Sequence, residues 1–179
     1  MRKRSEFDLK SRHIGFGRVW IACIDDMKAS VDFLHHLMNA ALDEARKSAS
    51  VGEVPVGAIL AKNEVIIARA HNLTETTRDP SAHAEQLVMR EGAKILGDWR
   101  LTGAILVITL EPCTMCAGTI KLARVPIVVF GAFDPRAGAV GSLYDLLADE
   151  RTGPPPRVIT DVLAAESKKL LKDFFEKRR

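Results

Sequence analysis

The chain is poor in cysteine, in aromatic residues and in long apolar runs. It has three cysteines among 179 residues and an aromatic content of 6%. So few cysteines exclude a disulfide-rich scaffold and favour a reducing compartment. No apolar run approaches the roughly 18 residues that a membrane-spanning helix needs, and the run at residues 19–24 is too short for a signal-peptide core. The sequence therefore predicts a cytoplasmic protein without a membrane partner.

Excess positive charge is absent from most of the chain. Residues 1–28 hold seven of the 26 Lys and Arg and four of the 23 Asp and Glu, whereas the remainder holds nineteen of each. Any contact with RNA must therefore come from local clusters. One candidate cluster lies near the C-terminus, where Phe174 and Phe175 stand among basic residues. An exposed aromatic ring beside cations can stack on an unpaired base while the cations hold phosphates.

Two short motifs contain the residues that point to chemistry. They are His-Ala-Glu at residues 83–85 and Pro-Cys-Thr-Met-Cys at residues 112–116. Structural zinc is nearly always held by four protein ligands, whereas three ligands leave one position open for water. The third cysteine, Cys23, has no partner at metal spacing. The set predicts one catalytic Zn²⁺ per subunit on His83, Cys113 and Cys116, with Glu85 as the catalytic proton shuttle.

Each motif is predicted to begin a helix. Asp79-Pro80 and Glu111-Pro112 precede the ligands, and an acidic residue followed by proline is typical of helix N-termini. Cys113 and Cys116 would then lie on one helix face. A Cys-x-x-Cys pair alone could also be a redox pair, but a redox pair needs no upstream His-x-Glu. Together the motifs favour a hydrolytic metal site.

Strands and helices alternate along the chain, which favours an α/β fold with helices on both faces of a central sheet. Ser30 could cap the first helix, so we expect residues 1–29 to form a flexible N-terminal extension and residues 30–179 to form one domain that contains both motifs. The predicted strands are residues 56–61, 65–70, 104–109, 127–130 and 157–160. The predicted helices are residues 31–47, a helix after residue 80, and residues 112–123, 142–148 and 161–176.

The paired motifs match the His-x-Glu and Pro-Cys-x-x-Cys signature of zinc nucleobase deaminases. The other matching segments surround them: EVPVGA (53–58), HN (71–72), DPSAHAE (79–85), LEPCTMCAG (110–118), VFGA (129–132), GAVGS (138–142) and DFF (173–175). From about Leu37 to the C-terminus, the sequence resembles the bacterial tRNA-specific adenosine deaminases of the zinc-dependent cytidine and deoxycytidylate deaminase superfamily. This resemblance implies a cytidine-deaminase-like three-layer α/β/α sandwich with a five-stranded mixed sheet, and a homodimer.

The resemblance also implies an activity, namely hydrolytic deamination of adenosine to inosine at the wobble position of the tRNA anticodon loop. Glu85 would take a proton from water, give it to the purine ring nitrogen and later protonate the departing amine. The anticodon stem-loop would be the partner. By residue-by-residue match, substrate contacts are expected at Asn72, at Val56, at the backbone of Glu111 and at Asp134, and RNA contacts are expected at Phe175, Arg178 and Arg179.

Two other functions stay open on the sequence alone. An enzyme acting on a free base or nucleoside, such as guanine or cytidine, would use the same four residues at its metal centre. Such an enzyme would not need an exposed Phe-Phe pair beside cations. A non-catalytic zinc-stabilised RNA-binding module would need a fourth ligand, would have no use for Glu85 and would unfold without zinc.

Overall fold

The computed structural model describes residues 24–178 of the chain, with side chains from residue 30 onward. Residues 1–23, most of the expected N-terminal extension, lie outside this part, as does the RNA contact expected at Arg179. Within the described part, no helix has the length and apolar character needed to cross a bilayer.

Five strands and five α-helices alternate along the described chain. The strands are β1 (Gly57–Lys62), β2 (Val65–His71), β3 (Ala104–Leu110), β4 (Ile127–Ala132) and β5 (Arg157–Ile159). The helices are α1 (Ile24–Ser50), α2 (Thr74–Thr77), α3 (Ala84–Leu96), α4 (Thr114–Leu122) and α5 (Ala164–Glu176), with a 3₁₀ turn at Glu150–Thr152. All five predicted strands are confirmed, with ends that differ by at most two residues.

The strands form one mixed sheet in the order β2-β1-β3-β4-β5. Strand β1 is antiparallel to both of its neighbours, whereas β3, β4 and β5 are parallel. Successive strand residues face opposite sides, so Ile59 and Val107 pack under α1 and α5, while Leu60 and Leu106 pack under α3 and α4. These two cores confirm the three-layer α/β/α sandwich. The parallel arrangement also brings the carboxyl ends of β3 and β4 to one edge, beside the start of α4.

Helix α1 begins earlier than the sequence predicts. It starts at Ile24, so Ser30 lies inside the helix and is not its cap. The predicted domain start at residue 30 stays a prediction, although this helix continues across it. The apolar face of α1 packs on the sheet and is completely buried at Leu37, Met38, Ala41, Leu42 and Ala45.

The helix predicted at residues 142–148 is wrong, because this segment forms turns and an isolated bridge between Val140 and Asp145. Its backbone is held by groups from elsewhere in the chain. The Ser142 amide donates to the Glu111 carboxylate at 3.0 Å, and the Lys121 ammonium donates to the Leu147 carbonyl at 3.1 Å. These long-range contacts satisfy groups that a helix would otherwise pair locally.

The start of β1 lies in direct backbone contact with α1. A Cβ atom at Gly57 would lie 2.0 Å from the Ala41 carbonyl oxygen and 2.4 Å from the Ala45 amide nitrogen. We expect Gly57→Ala to lower the free energy of unfolding by about 3 kcal/mol, since helix and strand must separate. Urea denaturation measures this change.

The matched control is Gly118→Ala, because a Cβ at this position in α4 would meet nothing within 4 Å. We expect this control to gain roughly 0.5–1 kcal/mol, since alanine has the higher helix propensity. Equal urea midpoints for the Gly57 variant and the wild-type protein would contradict the close packing of α1 on β1.

Candidate metal centre and active-site pocket

His83 lies at the start of α3, but not for the reason that the sequence suggests. The Asp79 carboxylate accepts hydrogen bonds from the amide and hydroxyl of Ser81 at 2.8 and 2.7 Å, and therefore forms a turn before the helix. The helix itself begins at Ala84, with His83 as its extended N-cap residue. The imidazole makes no capping bond with the free amides, so it is available to a metal ion.

Cys113 occupies the corresponding place at the start of α4. It is the N-cap residue in extended conformation, without a capping bond from its side chain, and the helix begins at Thr114. Cys116 follows in the first turn and is completely buried. The expectation that both cysteines lie within the helix is therefore corrected at Cys113. With Cys113 at the N-cap and Cys116 in the first turn, both thiols still lie near His83.

The three predicted ligands form a compact group. The His83 Nδ1 atom lies 3.7 Å from the Cys113 Sγ atom and 3.7 Å from the Cys116 Sγ atom. A tetrahedral zinc site with ordinary bond lengths places a nitrogen and a sulfur ligand about 3.6 Å apart. The donor set and its spacing therefore fit zinc. This trio is the single group of three His, Cys, Asp or Glu residues found at metal-binding distance within residues 30–178.

The thiols interact strongly with each other. Hydrogen bonds from the Cys116 thiol and from His83 lower the pKa of Cys113 to about 4, although burial opposes this shift. The interaction with Cys113, together with burial, raises the pKa of Cys116. One thiolate therefore forms readily and the second is disfavoured, so a divalent cation is the natural partner that would hold both in the charged form.

Glu85 lies in the first turn of α3, two residues after the imidazole ligand. Its side chain is 4% exposed and lines the same cavity as His83 and Cys113. Burial raises the pKa of the Glu85 carboxyl, which lets this group hold a proton more readily than an exposed carboxylate. The group is therefore placed to accept a proton inside the cavity and release it there.

A cavity of about 280 Å³ opens in front of these residues. It is near the lower end of the usual size of small-ligand pockets. The structure brings together in its lining seven of the residues predicted from sequence: Val56, Asn72, His83, Glu85, Glu111, Cys113 and Asp134. Cys116 lies behind the wall, completely buried, while Phe175 lines a neighbouring cavity of about 560 Å³.

Asn72 has a structural role that its position after β2 does not reveal. Its Oδ1 atom accepts a hydrogen bond from the Ala84 amide at 2.9 Å, so Asn72 caps α3 from a distance of twelve residues. Its backbone amide donates a hydrogen bond to the Val56 carbonyl at 3.1 Å. The bond at Oδ1 fixes the orientation of the side-chain amide, and its Nδ2 group is the donor that Asn72 can offer to a bound molecule.

Asp134 is arranged as a turn residue at the edge of the cavity. Its Oδ1 atom accepts a hydrogen bond from the Arg136 amide at 2.9 Å, and its own amide donates to the Glu111 Oε2 atom at 2.9 Å. The carboxylate therefore has one oxygen in a local turn and one oxygen left for other contacts.

Sequence reasoning missed Glu53, which lines the cavity and is 1% exposed. Its two carboxylate oxygens accept hydrogen bonds from the amides of Thr76 and Glu75 at 2.6 and 3.2 Å. Burial favours the neutral carboxyl, but these bonds prevail and lower the pKa of Glu53. The pairing crosses more than twenty residues of chain, so no local pattern could indicate it.

The two predicted RNA contacts that the structure describes differ in their surroundings. The Phe175 ring is 43% exposed and packs edge-on against Phe174, with ring centroids 5.3 Å apart. The Arg178 guanidinium lies 4.2 Å above the Phe174 ring and donates a hydrogen bond to the Gly52 carbonyl. Arg178 therefore fastens the end of α5 to the segment before β1, while Phe175 offers an open ring face.

The chain is similar to a family and to individual proteins. Residues 32–132 match the model of the cytidine and deoxycytidylate deaminase zinc-binding region. A tRNA-specific adenosine deaminase of Bacillus subtilis is 52% identical over 142 residues, covering 79% of this chain and 88% of that relative. The Haemophilus influenzae protein of the same name is 42% identical, covering 87% and 91% of the two chains.

A solved structure from work on A-to-I editing by tRNA:A34 deaminases has a similar fold. Its TM-score is 0.74 and its sequence identity is 42%, covering 76% of this chain and 99% of that chain. The sandwich and the three-ligand centre together define a zinc-dependent deaminase. The chain belongs to the cytidine and deoxycytidylate deaminase family and, within it, to the tRNA-specific adenosine deaminases.

Proposed function

We propose that this protein is a zinc-dependent hydrolase that converts adenosine to inosine at the wobble position of the tRNA anticodon loop and releases ammonia. The observation that carries the proposal is a three-ligand centre, His83, Cys113 and Cys116, beside a buried carboxyl that is not a ligand, Glu85. Similarity to tRNA-specific adenosine deaminases supports the choice of adenosine in tRNA as the substrate.

When bound to these three ligands, zinc would act as a Lewis acid and make water nucleophilic at neutral pH. The protein provides the proton movements. Glu85 takes the first proton that water loses and gives it to the ring nitrogen beside the reacting carbon. It then takes the second proton, from the hydroxyl group now on that carbon, and passes it to the departing amine, so that the carbonyl of inosine and ammonia form together. Its burial excludes bulk water from this exchange. The Asn72 Nδ2 group can donate to an acceptor on the purine, and the bond from the Ala84 amide to its Oδ1 atom fixes the direction of this donor.

The small cavity fits one base turned out of the stack, as deaminases that act on nucleic acids require. The larger neighbouring cavity shares Val54, Leu110 and Asp134 with it. The larger cavity is lined by the exposed rings of Phe133 and Phe175. This neighbourhood suits an extended single strand whose next base stacks on an aromatic ring.

Phe175 provides a specific test of the RNA surface. We expect Phe175→Ala to raise KM for an anticodon stem-loop by about tenfold, since stacking on an aromatic side chain is worth ~1–3 kcal/mol per base. The matched control is Trp99→Ala, which removes an exposed ring that lines neither cavity. An unchanged KM for the Phe175 variant, or an equal rise in the control, would contradict this contact.

We also propose that the protein is a cytoplasmic homodimer. A cytoplasmic location agrees with a tRNA substrate and with cysteines that serve as reduced ligands. Met115 and Leu122 stand seven residues apart on one face of α4, 37% and 74% exposed, and an exposed apolar face of this kind fits a subunit interface. We expect Leu122→Glu to sediment as a monomer where the wild-type protein sediments as a dimer. A dimer that survives this substitution would place the interface elsewhere.

The substrate assignment is tested with two anticodon stem-loops that differ only in the place of a single adenosine. One carries it at the wobble position and the other carries it elsewhere in the loop. The proposal predicts inosine in the first and none in the second. Equal deamination of both would contradict recognition of the wobble position.

A further inference from the structure

We propose that Glu111 is a positioning residue: its carboxylate fastens residues 134–142, which form one wall of the substrate cavity, to the end of β3 that leads to Cys113. This inference rests on the proposed function, because the molecule that the wall positions is the base turned out of the anticodon loop. It adds a role for the Glu111 side chain to the substrate contact that the sequence predicts for its backbone.

The Glu111 carboxylate is surrounded by donors from a single distant segment. The residue directly follows β3 and is 2% exposed. Its Oε2 atom accepts a hydrogen bond from the Asp134 amide at 2.9 Å, and its Oε1 atom accepts from the amides of Val140 and Ser142 at 2.9 and 3.0 Å. The Ser142 hydroxyl also donates to Oε2. Both oxygens are thus occupied by the protein itself and are not available to a substrate.

The segment closes tightly around this carboxylate. A Cβ atom at Gly138 would lie 2.2 Å from the Glu111 Oε2 atom and 2.6 Å from the Asp134 carbonyl oxygen, so the chain can pass only with a glycine there. The same segment also pairs with the start of α4, since the Ala139 amide donates to the Pro112 carbonyl at 2.9 Å and Gly138 forms an antiparallel bridge with Cys113.

This arrangement links two parts of the cavity lining that are far apart in sequence. Asp134 and Ala137 line the same cavity as His83, Glu85 and Cys113. The metal ligands and Glu85 lie at the starts of α3 and α4, outside residues 134–142. Loosening the segment should therefore weaken binding of the nucleotide more than it slows the chemical step or lowers zinc content.

The test compares Glu111→Gln with the wild-type protein, using three readouts. Glutamine places an NH₂ donor opposite the backbone amides in place of one oxygen. It also removes the negative charge that strengthens the remaining hydrogen bonds. We expect amides 134, 140 and 142 to exchange hydrogen faster in the free protein. In the inactive Glu85→Ala background, the Kd for the stem-loop should rise by about tenfold or more. Zinc content should stay at the wild-type level.

Two further variants separate this role from a general loss of stability. Ser142→Ala removes only the hydroxyl donor, so it should shift Kd in the same direction by a smaller factor. Glu44→Gln is the matched control, because Glu44 is also a buried carboxylate, paired with His71 and Lys47, but lines neither cavity. Neither Kd nor exchange at residues 134–142 should change in this control.

The proposal is overturned if Glu111→Gln binds the stem-loop as the wild-type protein does, if Glu44→Gln loses as much affinity, or if zinc is lost. It is equally overturned if the amides of residues 134–142 exchange no faster. A wild-type protein that neither binds nor deaminates the stem-loop would instead contradict the proposed substrate. In that case the exchange measurement on the free protein still decides whether Glu111 holds the segment.

Discussion

The Glu85→Ala variant is expected to lose turnover by about 10³-fold while keeping its zinc, since general acid–base catalysis contributes roughly 10²–10⁴-fold. The residue lines the cavity beside His83 and Cys113, yet it is outside the group of three ligands. The lost group is the one that carries protons between water, ring and amine. Single-turnover kinetics with metal analysis on the same sample measure both quantities.

Glu85→Gln refines this prediction because it keeps the size and polarity of the side chain but cannot accept a proton. We expect it to be nearly as inactive as the alanine variant. Glu44→Gln serves as the control, since this buried carboxylate lies away from the cavity and should leave kcat unchanged. Near wild-type kcat in either Glu85 variant would exclude the residue as the proton shuttle.

Replacing Cys116 by serine has the second large expected effect. Cys116 is completely buried and supplies one of the three ligands, so its loss should weaken zinc binding by more than about 100-fold, because even second-shell partners of a metal ligand are worth 10–100-fold. Deamination should fall with zinc occupancy. Metal analysis after dialysis against a weak chelator, followed by an activity assay with added zinc, measures the change.

The same variant separates an enzyme from a zinc-stabilised binding module. The two cores are built from apolar residues on both faces of the sheet, so the fold should persist without metal. Far-UV circular dichroism of the zinc-free variant should therefore resemble that of the wild-type protein. Cys23→Ser is the control, since its sequence surroundings contain no metal partner. Unfolding on removal of zinc would favour the binding module.

The metal centre was predictable because its parts lie in two short motifs. The spacing of His83, Cys113 and Cys116 is visible in the sequence, and the structure brings their donor atoms within 4.8 Å of one another. The strands were predictable for a related reason. Those buried on both faces, β3 and β4, are nearly continuous apolar runs. Such signals depend on composition and spacing within a few residues.

The contacts that shape the cavity were not predictable in this way. Lys121 illustrates the reason, because its ammonium donates to the carbonyls of Leu147, Asp149 and Gly153 at 3.1, 3.1 and 2.8 Å, across 26–32 residues of chain. Such bonds hold the end of this segment in place, and residues 142–148, predicted as a helix, form turns. The prediction that Asp79 caps α3 was also wrong, because its carboxylate accepts a hydrogen bond from Ser81 and none from the amides of α3. Hydrogen bonds between polar groups, several of them far apart in sequence, determined the backbone conformation of these segments.

We expect the three-ligand centre and Glu85 to deaminate adenosine at the wobble position of tRNA. Incubation of the zinc-loaded protein with an anticodon stem-loop that carries the wobble adenosine, with free adenosine, cytidine and guanine in parallel, tests this activity. Inosine and ammonia in equal amounts from the stem-loop alone, absent with Glu85→Ala, is the predicted result. An unchanged stem-loop together with loss of the amine from a free base or nucleoside would contradict it.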